Sequence, residues 1–169
     1  VLGVLPRLTG VRGRMQLAAT RRNGAAVYVD YAHTPDALET ALTALRPHVM
    51  GRIVVVFGAG GDRDRTKRPL MGAAAKAHAD VLYVTDDNPR TEEPSSIRAA
   101  ILAACPEAHE VGDRAEAILR AVDALLPGEV AVIGTQKSKR NAPWGELLST
   151  AAKVRGARGA VVDGLVRDV

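Results

Sequence analysis

The sequence predicts an α/β fold: a mostly parallel sheet covered by helices on both faces. Two observations carry this. Short β-branched runs alternate along the chain with longer stretches of helical periodicity. The strand-like runs are also nearly continuously apolar, as strands buried on both faces must be. A chain of 169 residues suits one domain with a sizeable core. At 47% hydrophobic and 25% charged the composition is that of a globular protein, and with 3% aromatics the core must be built from Val, Leu, Ile and Ala.

The elements follow in order. Residues 25–29 read as a strand and 35–45 as a helix. Residues 53–57, Ile-Val-Val-Val-Phe, are too short and too Val-rich for a helix, and 69–79 form an Ala-rich helix. Residues 81–85 are a strand, 95–104 and 115–126 are helices, and 130–133 are the last clear strand. Residues 7–16 read as a lead-in segment. The domain is expected to span 1–135. Residues 136–169 form a divergent basic subregion expected to pack on it, through a weakly amphipathic stretch at 147–154 and a strand-like one at 160–166.

Composition also excludes several classes. No apolar run reaches the roughly 18 residues of a membrane span. The first residues lack the charged-then-apolar layout of a secretory signal, so a cytoplasmic, membrane-free protein is expected, most simply a monomer. The chain does not begin with Met, as expected of a piece of something longer. Cys105 is the only cysteine, which rules out an internal disulfide, and its Ala/Ile/Leu surroundings read as those of a small buried hydrophobe. The net charge of +4 lies wholly in residues 136–169, which carry seven Lys/Arg against three Asp/Glu. That tail holds one aromatic, Trp144, and no nucleic-acid motif, so nucleic acid is not an expected partner. His48, His78 and His109 lack metal-ligand spacing and read as surface or helix residues.

In open parallel sheets, ligands bind outside the carboxyl ends of the strands, so the residues after each strand carry the functional argument. After the first come Asp30, Tyr31, Ala32, His33 and Thr34-Pro35-Asp36. Thr34 is a good N-cap and Pro35 a good first helical residue. Asp30 and His33 therefore sit beside a helix N-terminus that attracts anions, or belong to a plain capped turn. After the second strand comes Gly58-Ala-Gly-Gly-Asp-Arg63. The third glycine of a dinucleotide fingerprint would fall at Arg63, where a side chain obstructs helix–strand packing, and no Gly-Lys-Ser/Thr follows, so neither a dinucleotide site nor a phosphate loop is present. Arg63 is placed to bind a carboxylate, or lies on a solvated charged loop. After the third strand, Asp87-Asn88-Pro89-Arg90 forms an extended turn that would present Asn88 and Arg90 to the same crevice. Two arginines and an amide suit a ligand with more than one carboxylate. After the last strand, Gly134 opens a basic loop, either phosphate-touching or solvated.

Three strings in this order resemble the C-terminal domain of the Mur ligase family: residues 30–36, residues 57–64 with 67–71, and residues 85–94. The Gly10–Met15 segment also fits, and the resemblance covers about 7–134. It implies a Rossmann-like domain that supplies the amino-acid site of an ATP-dependent acid–amino-acid ligase of peptidoglycan synthesis. In this family, ATP phosphorylates the D-Glu carboxylate of UDP-MurNAc-L-Ala-D-Glu, and the amine of the incoming amino acid attacks the acyl phosphate. The Asp-Asn-Pro-Arg string resembles the ligases that add meso-diaminopimelate; relatives that add lysine lack its arginine. By resemblance, Arg14, Asp30 and His33 lie on the ATP side. Arg63, Asp87, Asn88, Pro89, Arg90 and Gly134 hold meso-diaminopimelate. No catalytic residue and no metal ligand is carried over. ATP and Mg2+ belong to the complete enzyme, since the phosphate loop and the carbamylated lysine of the upstream domain have no counterpart here. The chain alone is therefore expected to be inactive.

One departure is marked. Relatives continue from the last strand with Gly-Lys-Gly-His-Glu, whereas this chain reads Gly134-Thr-Gln-Lys-Ser138. The carboxylate that would meet the substrate ammonium is replaced by the Ser138 hydroxyl, and only the Gly134 backbone carries over. A shifted reading frame after Gly134 and a genuinely diverged terminus both accommodate this. The alternative function is a non-catalytic Mur-like module that binds diaminopimelate or a partner.

Overall fold

The computed structural model describes residues 13–134, together with the backbone of 144–145 and 166–167. Six strands form one sheet: β1 (Gln16–Thr20), β2 (Ala26–Asp30), β3 (Ile53–Phe57), β4 (Val81–Val84), β5 (His109–Glu110) and β6 (Val130–Gly134). Their order is β1-β2-β6-β3-β4-β5. Only β1 is antiparallel, and every other pairing is parallel. The connecting helices are α1 (Pro35–Leu45), α2 (Lys67–His78), α3 (Pro94–Leu102) and α4 (Arg114–Asp123).

The two-residue side-chain period of a strand divides β3 between two cores. Ile53, Val55 and Phe57 pack with Leu38 and Leu42 of α1, Met71 and Ala75 of α2, and Ile97 and Ile101 of α3. Val54 and Val56 face the other way, against Ala117, Ile118 and Ala121 of α4. Three helices thus cover one face and one covers the other. All five residues of β3 and all five of β6 are buried, which explains why these strands read as continuous apolar runs.

Thr34 caps α1 as expected, accepting from the Ala37 amide at 3.3 Å with Pro35 in the first turn. Helix α2 begins two residues before the expected Pro69. That proline is third in the helix, still within the first turn, where a missing N–H costs nothing. Cys105 is fully buried, as expected.

Two strands of the six-stranded sheet were not expected. The lead-in reading of residues 7–16 stops where β1 begins. Strand β1 pairs with β2 through the Arg-Arg-Asn-Gly turn, where Gly24 adopts φ +86°. Asn-Gly between two strand-length segments is a hairpin signal, but in β1 it is blurred by a register shift between Leu17 and Ala19. Strand β5 has two exposed residues and leaves no hydrophobic pattern. A separate two-residue parallel pair joins Trp144–Gly145 to Val166–Arg167. The amphipathic stretch 147–154, most of 160–166 and the docking of the tail lie outside the described residues.

Candidate functional site

The strand carboxyl ends gather three loops. At the end of β2, Asp30 is buried and both its oxygens serve the backbone: Oδ2 accepts from the Met15 amide at 2.7 Å and Oδ1 from the Ala32 amide at 2.8 Å. The Tyr31 amide donates to the Gly13 carbonyl at 2.7 Å. These bonds fix the segment that carries Arg14, whose guanidinium lies 5.0 Å from the Tyr31 ring centroid. The Tyr31 ring lies 4.9 Å from the His33 ring, and His33 Nδ1 donates to the Tyr31 carbonyl at 2.9 Å. Asp30 therefore shapes this corner, and Arg14 and His33 present its polar surface.

The loops after β3 and β4 are interlocked. The Gly61 amide donates to the Asn88 carbonyl at 2.9 Å, and Arg90 donates back to the Gly61 carbonyl. The contact is so close that a Cβ on Gly61 would lie 1.8 Å from the Pro89 oxygen. Asp87 Oδ1 accepts from the Asn88 amide at 2.7 Å, and the Thr91 hydroxyl donates to Asp62 at 2.7 Å. Arg90 spends one of a guanidinium's five donors on this latch. The fold thus brings Asp87, Asn88, Pro89 and Arg90 against the Gly61 loop, with Arg63 exposed two residues further along it.

Beneath the latch lies an ion pair. Arg68, with a side chain only 4% exposed, grips Glu92 through two nitrogens at 2.7 and 3.1 Å, and Arg65 approaches the same carboxylate at 3.2 Å. Glu92 also accepts from the Asp62 amide at 2.6 Å. The Arg68 hydrogen bonds and that amide hold the carboxyl at about 2, against an ordinary 4.5. Because its folded value lies below its unfolded one, the stabilisation is complete above about pH 4.5 and is lost as the pH falls towards 2. At neutral pH the Glu92 carboxylate is ionised.

Gly134 joins this crevice through a residue that the sequence reading missed. Arg114, first residue of α4, donates to the Asp86 carbonyl at 2.9 Å and to the Gly134 carbonyl. It therefore ties the end of β4 to the end of β6 across the intervening β3. Desolvation lowers its pKa, while Asp87 and Asp86 oppose the shift. Lys67, the first residue of α2, likewise reaches from the β3 side to the His33 carbonyl at 3.1 Å, and burial lowers its pKa. Both cations stand at helix N-termini, where the macrodipole disfavours positive charge. That placement was the available sequence signal: a basic residue opening a helix signals a duty other than helix stability. Arg114→Met is expected to lower stability by about 1–3 kcal/mol by removing both bonds. The exposed Arg120→Met, which breaks only an i,i+4 pair with Glu116, should cost under about 0.5 kcal/mol. Equal losses in thermal denaturation would remove the bridging role.

Residues 13–135 match the family described as "Mur ligase, glutamate ligase domain". The chain belongs to the Mur ligase family. Among curated relatives, it is 57% identical to the UDP-N-acetylmuramoyl-L-alanyl-D-glutamate–2,6-diaminopimelate ligase of Caulobacter vibrioides over 133 residues, 79% of this chain and 27% of that protein. The ligase of the same name from Rhizobium meliloti is 49% identical over 160 residues, 93% of this chain and 33% of its own length. A match of that extent necessarily runs past Gly134, beyond the point where the motif resemblance ends. A solved structure of a ligase of this name superposes with a TM-score of 0.69 at 42% identity, covering 83% of this chain and 29% of the other. The UDP-N-acetylmuramate-alanine ligase of Thermotoga maritima shares the fold, with a TM-score of 0.61 at 24% identity. The chain spans about a quarter to a third of the length of these Mur ligase relatives. Among its described residues, no helix is long and apolar enough to cross a membrane.

Proposed function

We propose that this Mur ligase domain forms the amino-acid-binding part of an enzyme that joins meso-diaminopimelate to UDP-MurNAc-L-Ala-D-Glu. The observation that carries the reading is the Arg90 turn. Its backbone is left-handed, φ +53°, and its guanidinium is tied to the Gly61 carbonyl, which anchors a cation beside Asn88 at the mouth of the crevice. In this reading Arg63, Asn88 and Arg90 meet the carboxylates of meso-diaminopimelate, Asp87 faces an ammonium, and Pro89 and Gly134 line the pocket with backbone. A charge-assisted pair with the distal carboxylate contributes roughly 1.5–3 kcal/mol. Lysine, which lacks that carboxylate, leaves a guanidinium desolvated and unpaired, so selectivity exceeds the bond itself.

Arg14 and His33 would face ATP from the β2 end, with Asp30 holding their segment. The residues present do not by themselves fit nucleotide phosphates or Mg2+. Asp30 has both oxygens committed to amides. No His/Cys/Asp/Glu group suited to a metal ion occurs among the described residues. The sequence also holds no Gly-Lys-Ser/Thr. Phosphate and metal chemistry is therefore assigned to the remainder of a complete ligase. A cytoplasmic setting follows from nucleotide-linked substrates.

The test is ligation by a chimaera: this domain replaces its counterpart in a diaminopimelate-adding ligase, and ADP release is followed with the dipeptide precursor. Turnover with meso-diaminopimelate and not with lysine is expected. Binding without turnover would favour the non-catalytic module, and acceptance of lysine at an equal rate would reject the assignment.

A further inference from the structure

Two non-glycine residues of the crevice hold left-handed backbone conformations, Asp62 at φ +51° and Arg90 at φ +53°. Such conformations persist only where surrounding contacts over-determine them. Here those contacts converge on Glu92. Its carboxylate accepts from the Asp62 amide at 2.6 Å, directly anchoring one strained residue. Its own amide donates to the Pro89 carbonyl at 3.0 Å, closing the turn that contains the other. Asp62 completes the circuit by accepting from the Thr91 amide and hydroxyl, at 3.2 and 2.7 Å.

Arg68, in the first turn of α2, anchors this circuit to a rigid element through both oxygens of Glu92. Its Nε is buried and has no hydrogen-bond partner. A buried ion pair with an unsatisfied donor stabilises a fold by less than its bonds suggest, because desolvation offsets part of the attraction. What it does supply is a fixed geometry between the loop carrying Arg63 and the turn carrying Arg90. In the proposed reading those two cations grip the carboxylates of one ligand.

We propose that Glu92 is a positioning residue that sets the span between Arg63 and Arg90, and with it the length of diamino dicarboxylic acid the domain selects. The inference rests on the amino-acid-binding reading above. It differs from a plain stabilising role in one respect: loosening the latch should erode discrimination by chain length, not simply weaken every ligand.

The experiment titrates the isotope-labelled chain, followed by amide resonances, with meso-diaminopimelate and with 2,7-diaminosuberate, which is one methylene longer. A preference of about tenfold or more for meso-diaminopimelate is expected of the native chain, the usual scale for one methylene in a fitted site. Glu92→Gln keeps the shape but removes the charge, and should bring the ratio to within about threefold of unity, since small misplacements of paired groups carry large penalties. Thr91→Val removes only an exposed hydroxyl contact to Asp62. It should erode the ratio in the same direction, and it decides the matter alone if Glu92→Gln does not fold. Retention of the native ratio in the variants, including uniformly weaker binding of both acids, would overturn the positioning role. If the native chain binds neither acid, the amino-acid-binding reading itself fails and the positioning role falls with it. The two failures are thus distinguishable.

Discussion

Arg90→Ala is expected to weaken meso-diaminopimelate binding by about ten- to a hundredfold, the equivalent of one lost charge-assisted pair, while ATP affinity in a complete ligase stays within about twofold. The asymmetry follows from position. Arg90 lies after β4 and contacts the Gly61 loop, whereas Arg14 and His33 gather at the end of β2, with β6 and β3 lying between the two strands. Lysine affinity should change far less than meso-diaminopimelate affinity, because lysine offers no distal carboxylate to lose. Titration calorimetry on both ligands reads this directly. Equal losses of meso-diaminopimelate and ATP would mean that the substitution had disturbed the sheet edge as a whole, and Arg90 would lose its assigned role.

Gly61→Ala should be the most damaging single methyl in the crevice. Its Cβ would meet the Pro89 oxygen at 1.8 Å and the Pro89 carbonyl carbon at 2.6 Å. Both are backbone atoms, so no side chain can swing aside, and the loops must separate by more than about 1 Å to reach ordinary contact. A cost of about 1–3 kcal/mol in stability is expected for this overpacking. Because the displaced atoms belong to the Asn88–Arg90 turn, meso-diaminopimelate affinity should fall by about a hundredfold. Gly24→Ala provides the contrast. Gly24 has φ +86° and open space around its Cβ position, and it lies in the β1–β2 hairpin at the opposite end of β2 from the crevice. That variant should lose about 1 kcal/mol from backbone strain alone with ligand binding unchanged. If thermal denaturation and titration rank the two variants alike on both measures, the interlocked loops are not what shapes the site.

The parallel core was legible because β3 and β6 are buried on both faces and spell themselves out in Val, Ile and Ala. Helix α1 was legible from Thr34 and Pro35, which act within one turn of the chain. What stayed hidden was what pattern does not encode. Strand β1 carries a mixed sequence and a register shift, and β5 has two exposed residues. The rule for parallel sheets pointed to the loops after the strands, but it says nothing of the partners their side chains take. Asp30 was assigned to a ligand side, and its oxygens turn out to hold the Met15 and Ala32 amides. Arg114 reaches carbonyls 28 and 20 residues away, and Arg68 reaches Glu92 across 24. No local spacing announces contacts of that range; only the closing of the sheet brings them together. The cations at the starts of α2 and α4 were the clues, since they stand against the helix dipole.

In the proposed reading, the crevice between the β3, β4 and β6 ends selects an amino acid with two carboxylates. The most direct measurement is a titration of the isotope-labelled chain with meso-diaminopimelate and, separately, with L-lysine. Saturable binding of meso-diaminopimelate at least about tenfold tighter than lysine is expected, with the largest amide shifts at Gly61, Asn88, Arg90 and Gly134. Equal affinity for the two, or shifts confined to residues away from these strand ends, would contradict it.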